Sequence, residues 1–208
     1  MGRIVVGISG ASGAIYGIRL LEVLSGCAGI ETHFIITGAA VKTIHLETAY
    51  SLEQIERLAH RVYDNGNVGA AVASGSFKTE GMVVVPCSMK TASAIANSYN
   101  DNLLVRAADV TLKEKRRLVV VARETPLHLG HLRILTALAE LGAVVLPPMP
   151  AFYHLPRTIE DVVDQTVGKI LDQFGIEHSL FRRWEGGDGD GPGTVTAGRP
   201  WCSSAVPD

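Results

Sequence analysis

The 208-residue chain has no block of five or six like charges, and its 19 basic and 21 acidic residues leave a formal net charge of -2. Nucleic acid is bound through a basic patch or stripe, so its absence argues for a small-molecule partner instead. Long apolar runs are missing too. Stretches such as Met82 to Pro86 and Ala143 to Pro148 fall far short of the ~20 residues that cross a bilayer, so no membrane span is expected. The strand-like run Arg3 to Ile8 follows the first Met almost directly, without the charged, apolar and cleavage regions of a signal peptide, which predicts a cytoplasmic protein. Cysteine is scarce: Cys27, Cys87 and Cys202 are odd in number, far apart and free of any C-x-x-C pair, which argues against a disulfide framework and a zinc site. The seven histidines include His128 and His131, three apart, but no H-E-x-x-H, so a capping or surface role is expected and no metal.

What is present is aliphatic. Runs at 3–8, 33–37, 81–86, 117–122 and 143–146 are rich in Val and Ile and do not alternate, as strands buried on both faces do not. Helix-period segments separate them. In 159–174, Ile159, Val162, Val163, Val167, Ile170, Leu171 and Phe174 recur at steps of three and four as one stripe. Thr158 with Asp161, Ser51 with Gln54, and Thr111 with Glu114 have capping-box spacing. Thr125-Pro126 suggests an N-cap before a first-turn proline, and Gly142 suits a helix C-terminus. Strand and helix alternating five times predict an α/β fold, a doubly wound, flavodoxin-like parallel sheet in three α/β/α layers over residues 1–185. Residues 186–208, with six Gly and three Pro, have the composition of a tail.

The chemistry is expected at the carboxyl ends of the strands. The first ends in Ser9-Gly10-Ala11-Ser12-Gly13 before a helical run, an arrangement that suits either an anion or a tight turn needed only for packing. The dinucleotide fingerprint is broken by Ile8, and Thr37-Gly38 after the second strand supplies no acid for a ribose hydroxyl, so a mononucleotide fits better than NAD. The strand at 81–86 leads into Pro86-Cys87-Ser88-Met89-Lys90-Thr91; in a 2-1-3-4-5 sheet its end and the first strand's end flank the topological switch point. Cys87, with no base marked beside it, reads as structural. Arg123-Glu124 puts a cation and a carboxylate at the same edge, and Pro147 to Pro156 is a proline-stiffened segment bearing Phe152 and Tyr153.

These motifs, with Leu171-Asp172-Gln173-Phe174, resemble the UbiX-type flavin prenyltransferases, including the members named for phenolic acid decarboxylases, from about residue 3 to Trp184. The resemblance implies FMN contacts at Gly10, Ala11, Ser12, Thr37, Ser88, Met89, Lys90, Thr91 and Arg123. It implies a prenyl-phosphate site of Lys113, Arg123, Glu124, Tyr153 and Lys169, with Glu47 nearby and Trp184 at its edge. Many members carry Arg where this chain has Lys169, a point charge in place of a bidentate fork. The implied reaction joins a dimethylallyl group from dimethylallyl monophosphate to N5 and C6 of reduced FMN, with no metal. A homododecamer is implied, and a UbiD-type decarboxylase as recipient of the prenylated FMN. Two other readings share much of this pattern: a flavin-dependent cysteine decarboxylase, and an FMN-carrying subunit without activity of its own.

Overall fold

The computed structural model describes residues 2–184 and Gly186, so the expected tail at 186–208 lies outside the described residues apart from Gly186. Two compact units divide the chain, Met1–Met149 and Pro150–Asp208.

In the first unit the aliphatic runs form β1 (Gly2–Ile8), β2 (Ile30–Ile36), β4 (Gly81–Cys87), β5 (Arg117–Ala122) and β6 (Val144–Val145). A strand absent from the sequence reading, β3 (Arg61–Tyr63), adds to the outer edge of β2. The sheet is parallel throughout, in the order β3-β2-β1-β4-β5-β6. The helices are α1 (Ala14–Ser25), α2 (Gly38–Glu47), α3 (Leu52–Glu56), α4 (Met89–Ala96), α5 (Leu103–Lys113) and α6 (Leu129–Glu140).

Successive side chains of a strand point to opposite faces, and β1 shows both covered. A Cβ at Gly7 would meet Leu104 of α5, whereas Ile8 lies against Gly17 of α1. All seven residues of β4 are buried, as befits a central strand with helices on both sides. Each fully buried Leu, Ile or Phe, such as Leu21, Phe34 and Leu104, contributes about 1.5–3 kcal/mol of hydrophobic stabilisation.

Two boundary expectations are corrected. Thr111 does not cap a helix; it lies inside α5, buried, and its hydroxyl donates to the Ala107 carbonyl at 2.7 Å. Threonine tolerates a helix interior when its hydroxyl returns to the preceding turn, which competes with capping. Nor does Thr125-Pro126 open a helix: α6 begins at Leu129, capped by the His128 ring, whose Nδ1 accepts from the Gly130 and His131 amides. The capping boxes at Ser51/Gln54 and Thr158/Asp161 form as expected, and Gly142, at φ 94°, follows the end of α6.

The second unit contains α7 (Ile159–Gln173), whose buried residues include Val163, Val167, Ile170 and Leu171 of the expected stripe. Ile159, at its exposed start, lies outside that stripe. Among the described residues no helix is long and apolar enough to cross a membrane.

Candidate active site

A crevice of about 760 Å³ opens where the strand order reverses, between the carboxyl ends of β1 and β4. Gly10, Thr37, Ser88, Lys90 and Thr91 of the expected FMN contacts line it. Three helices begin here. Thr37 caps α2 by accepting from the Ala40 amide, Ser88 caps α4 by accepting from the Thr91 amide, and Asn102 caps α5 by accepting from the Val105 amide. Their partial positive charges converge on one cavity, which suits a phosphate-bearing ligand.

The two principal loops are tied together through Ser9, which is fully buried. Its hydroxyl donates to the Pro86 carbonyl at 3.0 Å and accepts from the Ser88 amide at 2.8 Å. Gly10 follows because the first turn of α2 comes so close that a Cβ there would overlap the Ala39 Cβ. Ser9→Ala should therefore destabilise the protein by about 1–3 kcal/mol, since it leaves the Ser88 amide without its acceptor, while the Pro86 carbonyl still accepts from the Ser9 amide. Thermal unfolding checks this; an unchanged midpoint would show that the loops are held by other means.

The loop after β1 is used differently from expectation. The first amides of α1 are already engaged: Gly13 and Ala14 donate to the Glu47 carboxylate at 2.8 and 3.3 Å. Burial alone would raise the Glu47 pKa. Hydrogen bonds from the Ser12 hydroxyl and those two amides, with the Arg123 charge, outweigh burial and hold it below the ordinary carboxylate range. Ser12 thus serves Glu47. Ala11 and Met89 are buried and lie outside the crevice lining.

At the end of β5 the Arg123 amide donates to the Cys87 carbonyl, which fixes Arg123 at the same sheet edge, where its side chain is exposed. Glu124 follows it, also exposed, and accepts from the Thr125 amide. Lys113 is not at this edge. It ends α5 just before β5 starts, so it sits at the amino edge of the sheet, about 16 Å along an 11-residue helix from the crevice, where it pairs with Glu114. Burial pushes the Cys87 thiol far up, so it stays protonated and structural. Among the described residues no group of three His, Cys, Asp or Glu could hold a metal ion.

The outer wall of the crevice carries no motif that marks it as such in the sequence. Asn65, just after β3, pins the start of α5: its carbonyl accepts from the Leu103 amide and its Oδ1 from the Leu104 amide. Asn97, Tyr99 and Asp101 complete that side. The Asp101-Asn102 pair before an apolar run is a helix-start signal that could have revealed part of it.

In the second unit, Tyr153 and Trp184 meet edge to face with ring centroids 6.0 Å apart and planes at 77°. Lys169 projects from α7, about half exposed, with its ammonium 3.7 Å from Asp172.

Comparison with known proteins decides the family. The Flavoprotein family model matches residues 1–171. A flavin prenyltransferase UbiX from Thauera aromatica is 58% identical over 186 residues, spanning 89% of this chain and 95% of its own. Its counterpart from Salmonella typhimurium is 56% identical over 188 residues, 89% of this chain and all of its own. The chain belongs to the UbiX flavin prenyltransferase family. Among solved structures, a dodecameric FMN-dependent UbiX-like decarboxylase from Escherichia coli superposes with a TM-score of 0.87 at 47% identity, covering 88% of this chain and 100% of that one. AnUbiX in complex with FMN and dimethylallyl pyrophosphate does so equally well, again at 0.87 and 47%, covering 90% and 99%. The FMN-dependent cysteine decarboxylase TvaF, at 16% identity and a TM-score of 0.62, shares the fold with this UbiX-family chain and no more.

Proposed function

We propose that this chain joins the dimethylallyl group of dimethylallyl monophosphate to reduced FMN and passes the prenylated FMN to a UbiD-type decarboxylase. The observation that carries this reading is the crevice itself: three capped helix starts facing one cavity at the switch point, in a chain 47% identical to a protein solved with FMN and a prenyl pyrophosphate. Its donors fit a flavin mononucleotide. Thr37, Ser88 and Thr91 offer hydroxyls, the starts of α2, α4 and α5 offer amides and dipoles, and Lys90 offers a cation. Gly10, Ala11, Ser12, Met89 and Arg123 complete the proposed contact set.

Reduced FMN, when bound, supplies the nucleophilic N5 and the ring carbon C6. The chain's residues do the rest. As the allylic C–O bond breaks, its electron pair leaves with the phosphate, and the growing negative charge calls for cations already in place. In the first unit Arg123 is the cation proposed to meet that need; in the second, Lys169 is the proposed cation and the Tyr153 hydroxyl the proposed hydrogen-bond donor to the phosphate. The allylic carbon becomes cationic, and the faces of Tyr153 and Trp184 attract such a cation while shielding it from water. The departed phosphate, Glu124 or the ionised Glu47 would move the protons: one taken from N5 as it is alkylated, one given to the remaining prenyl double bond so that C6 can attack it, and one taken from C6 to restore the ring.

Lys113, at the far end of α5 from the crevice, could enter this scheme only from a neighbouring copy of the chain. A homododecamer is consistent with the dodecameric relative and with Leu129, Leu132 and Leu141, which α6 and its end leave exposed. A cytoplasmic location agrees with a soluble cofactor passed between enzymes. The test is anaerobic incubation with reduced FMN and dimethylallyl monophosphate, followed by mass spectrometry of the extracted flavin. A mass gain of one isoprene unit is expected; unmodified FMN at saturating donor would overturn the reading.

A further inference from the structure

The Leu171-Asp172-Gln173-Phe174 motif has no role in the scheme above, yet Asp172 is engaged by three side chains, Arg183, His178 and Lys169. Arg183 donates to it with both terminal nitrogens, at 2.6 Å to Oδ1 and 3.1 Å to Oδ2. The His178 Nε2 lies 3.1 Å from Oδ1, and the Lys169 ammonium 3.7 Å from Oδ2. After α7 the chain turns at Gly175, φ 65°, and runs back along the helix it has just left. Gly168 makes that return possible: a Cβ there would stand 2.5 Å from the His178 ring and 2.5 Å from the Phe181 ring. The Arg183 guanidinium in turn lies over Phe181, 5.6 Å from its centroid. Trp184 is the next residue.

We propose that Asp172, seated beside Gly168, is a positioning residue that straps residues 176–184 to α7 and so holds Trp184 against Tyr153. Trp184 is 65% exposed and belongs to no helix or strand. An edge-to-face ring contact is too weak to order such a segment unaided, whereas a bidentate carboxylate–guanidinium fork fixes both distance and direction. The fork sets where the chain must be one residue before Trp184. Gly168 sets how near the helix it can lie. The same carboxylate draws Lys169 along α7, so one group orients an aromatic and a cation assigned to the prenyl donor. Consistent with this, the bonds from Arg183 and His178 outweigh the burial that would raise the Asp172 pKa and keep the carboxyl below its ordinary range.

The inference rests on Tyr153 and Trp184 contacting the donor, and the experiment separates the two claims. In a Trp201→Phe background Trp184 is the sole indole. Acrylamide quenching of Trp184 in the FMN-loaded protein is measured for Asp172→Asn, Gly168→Ala and Arg183→Gln, beside KM and kcat for dimethylallyl monophosphate and the affinity for FMN. Arg183 is exposed, so its variant folds even if a buried change does not. Expected are faster quenching in all three, a KM for the donor raised about tenfold or more, unchanged FMN affinity, and partial recovery in Arg183→Lys. Quenching as in the parent protein would overturn the strap. Faster quenching with an unchanged KM would overturn its role in the reaction. A parent protein that never prenylates FMN defeats the proposed function instead, and leaves the quenching test to stand alone.

Discussion

Ser88→Trp should abolish FMN binding while Ser88→Ala retains it. Ser88 has two duties in the structure, capping α4 through the Thr91 amide and lining the crevice at the carboxyl end of β4. Removing only the hydroxyl should lower stability by about 1 kcal/mol, the usual effect of losing a cap, and leave the cavity open. An indole at the same position loses the cap and also fills the space between the starts of α4 and α2. Affinity should then fall by at least about a thousandfold, equivalent to ~4 kcal/mol. Flavin fluorescence titration gives the affinity and thermal unfolding gives the stability. Equal affinities for the two variants would mean that Ser88 is a cap and nothing else, and that the flavin lies elsewhere.

The second large effect is expected at Arg123. Arg123→Ala at saturating FMN should slow prenylation about a hundredfold or more, since losing one preorganised donor to a developing anion typically removes ~3–4 kcal/mol of transition-state stabilisation. Arg123→Lys should recover part of the rate by keeping the charge without the fork. Single-turnover measurement of flavin mass against time is the assay. A rate within threefold of wild type would remove Arg123 from the chemistry and leave its charge only the task of helping to keep Glu47 ionised.

Much of the fold was legible because parallel strands buried on both faces read as unbroken aliphatic runs, and five such runs became β1, β2, β4, β5 and β6. Arg61–Tyr63 escaped notice: a three-residue edge strand with exposed Arg61 and Val62 has neither length nor burial to mark it. Asn65 was lost with it, because a residue is recognised as lying at a sheet edge only when its strand is. Glu47, known to matter only through resemblance, acquires its function from amides 34 and 33 residues away, a distance over which local patterns carry no information. Lys113 misled for a geometric reason. In a parallel sheet the connecting helix runs back against the strands, so one end of α5 faces the crevice and the other faces away. Asp172 was visible as a motif, but its partnership with Arg183 spans 11 residues and a chain reversal.

Glu47 on the first turn of α1 has a consequence for what the crevice refuses. In dinucleotide-binding sheets the amides that follow the first strand are left bare so that a pyrophosphate can settle on them. Here a carboxylate with its proton removed already sits on two of those amides. A dinucleotide that offered its pyrophosphate to that turn would encounter fixed negative charge in place of free donors, and bringing like charges together is strongly penalised away from bulk water. Discrimination between one nucleotide and two is thus built into the resting protein as repulsion, alongside the attraction exerted by the other three helix starts.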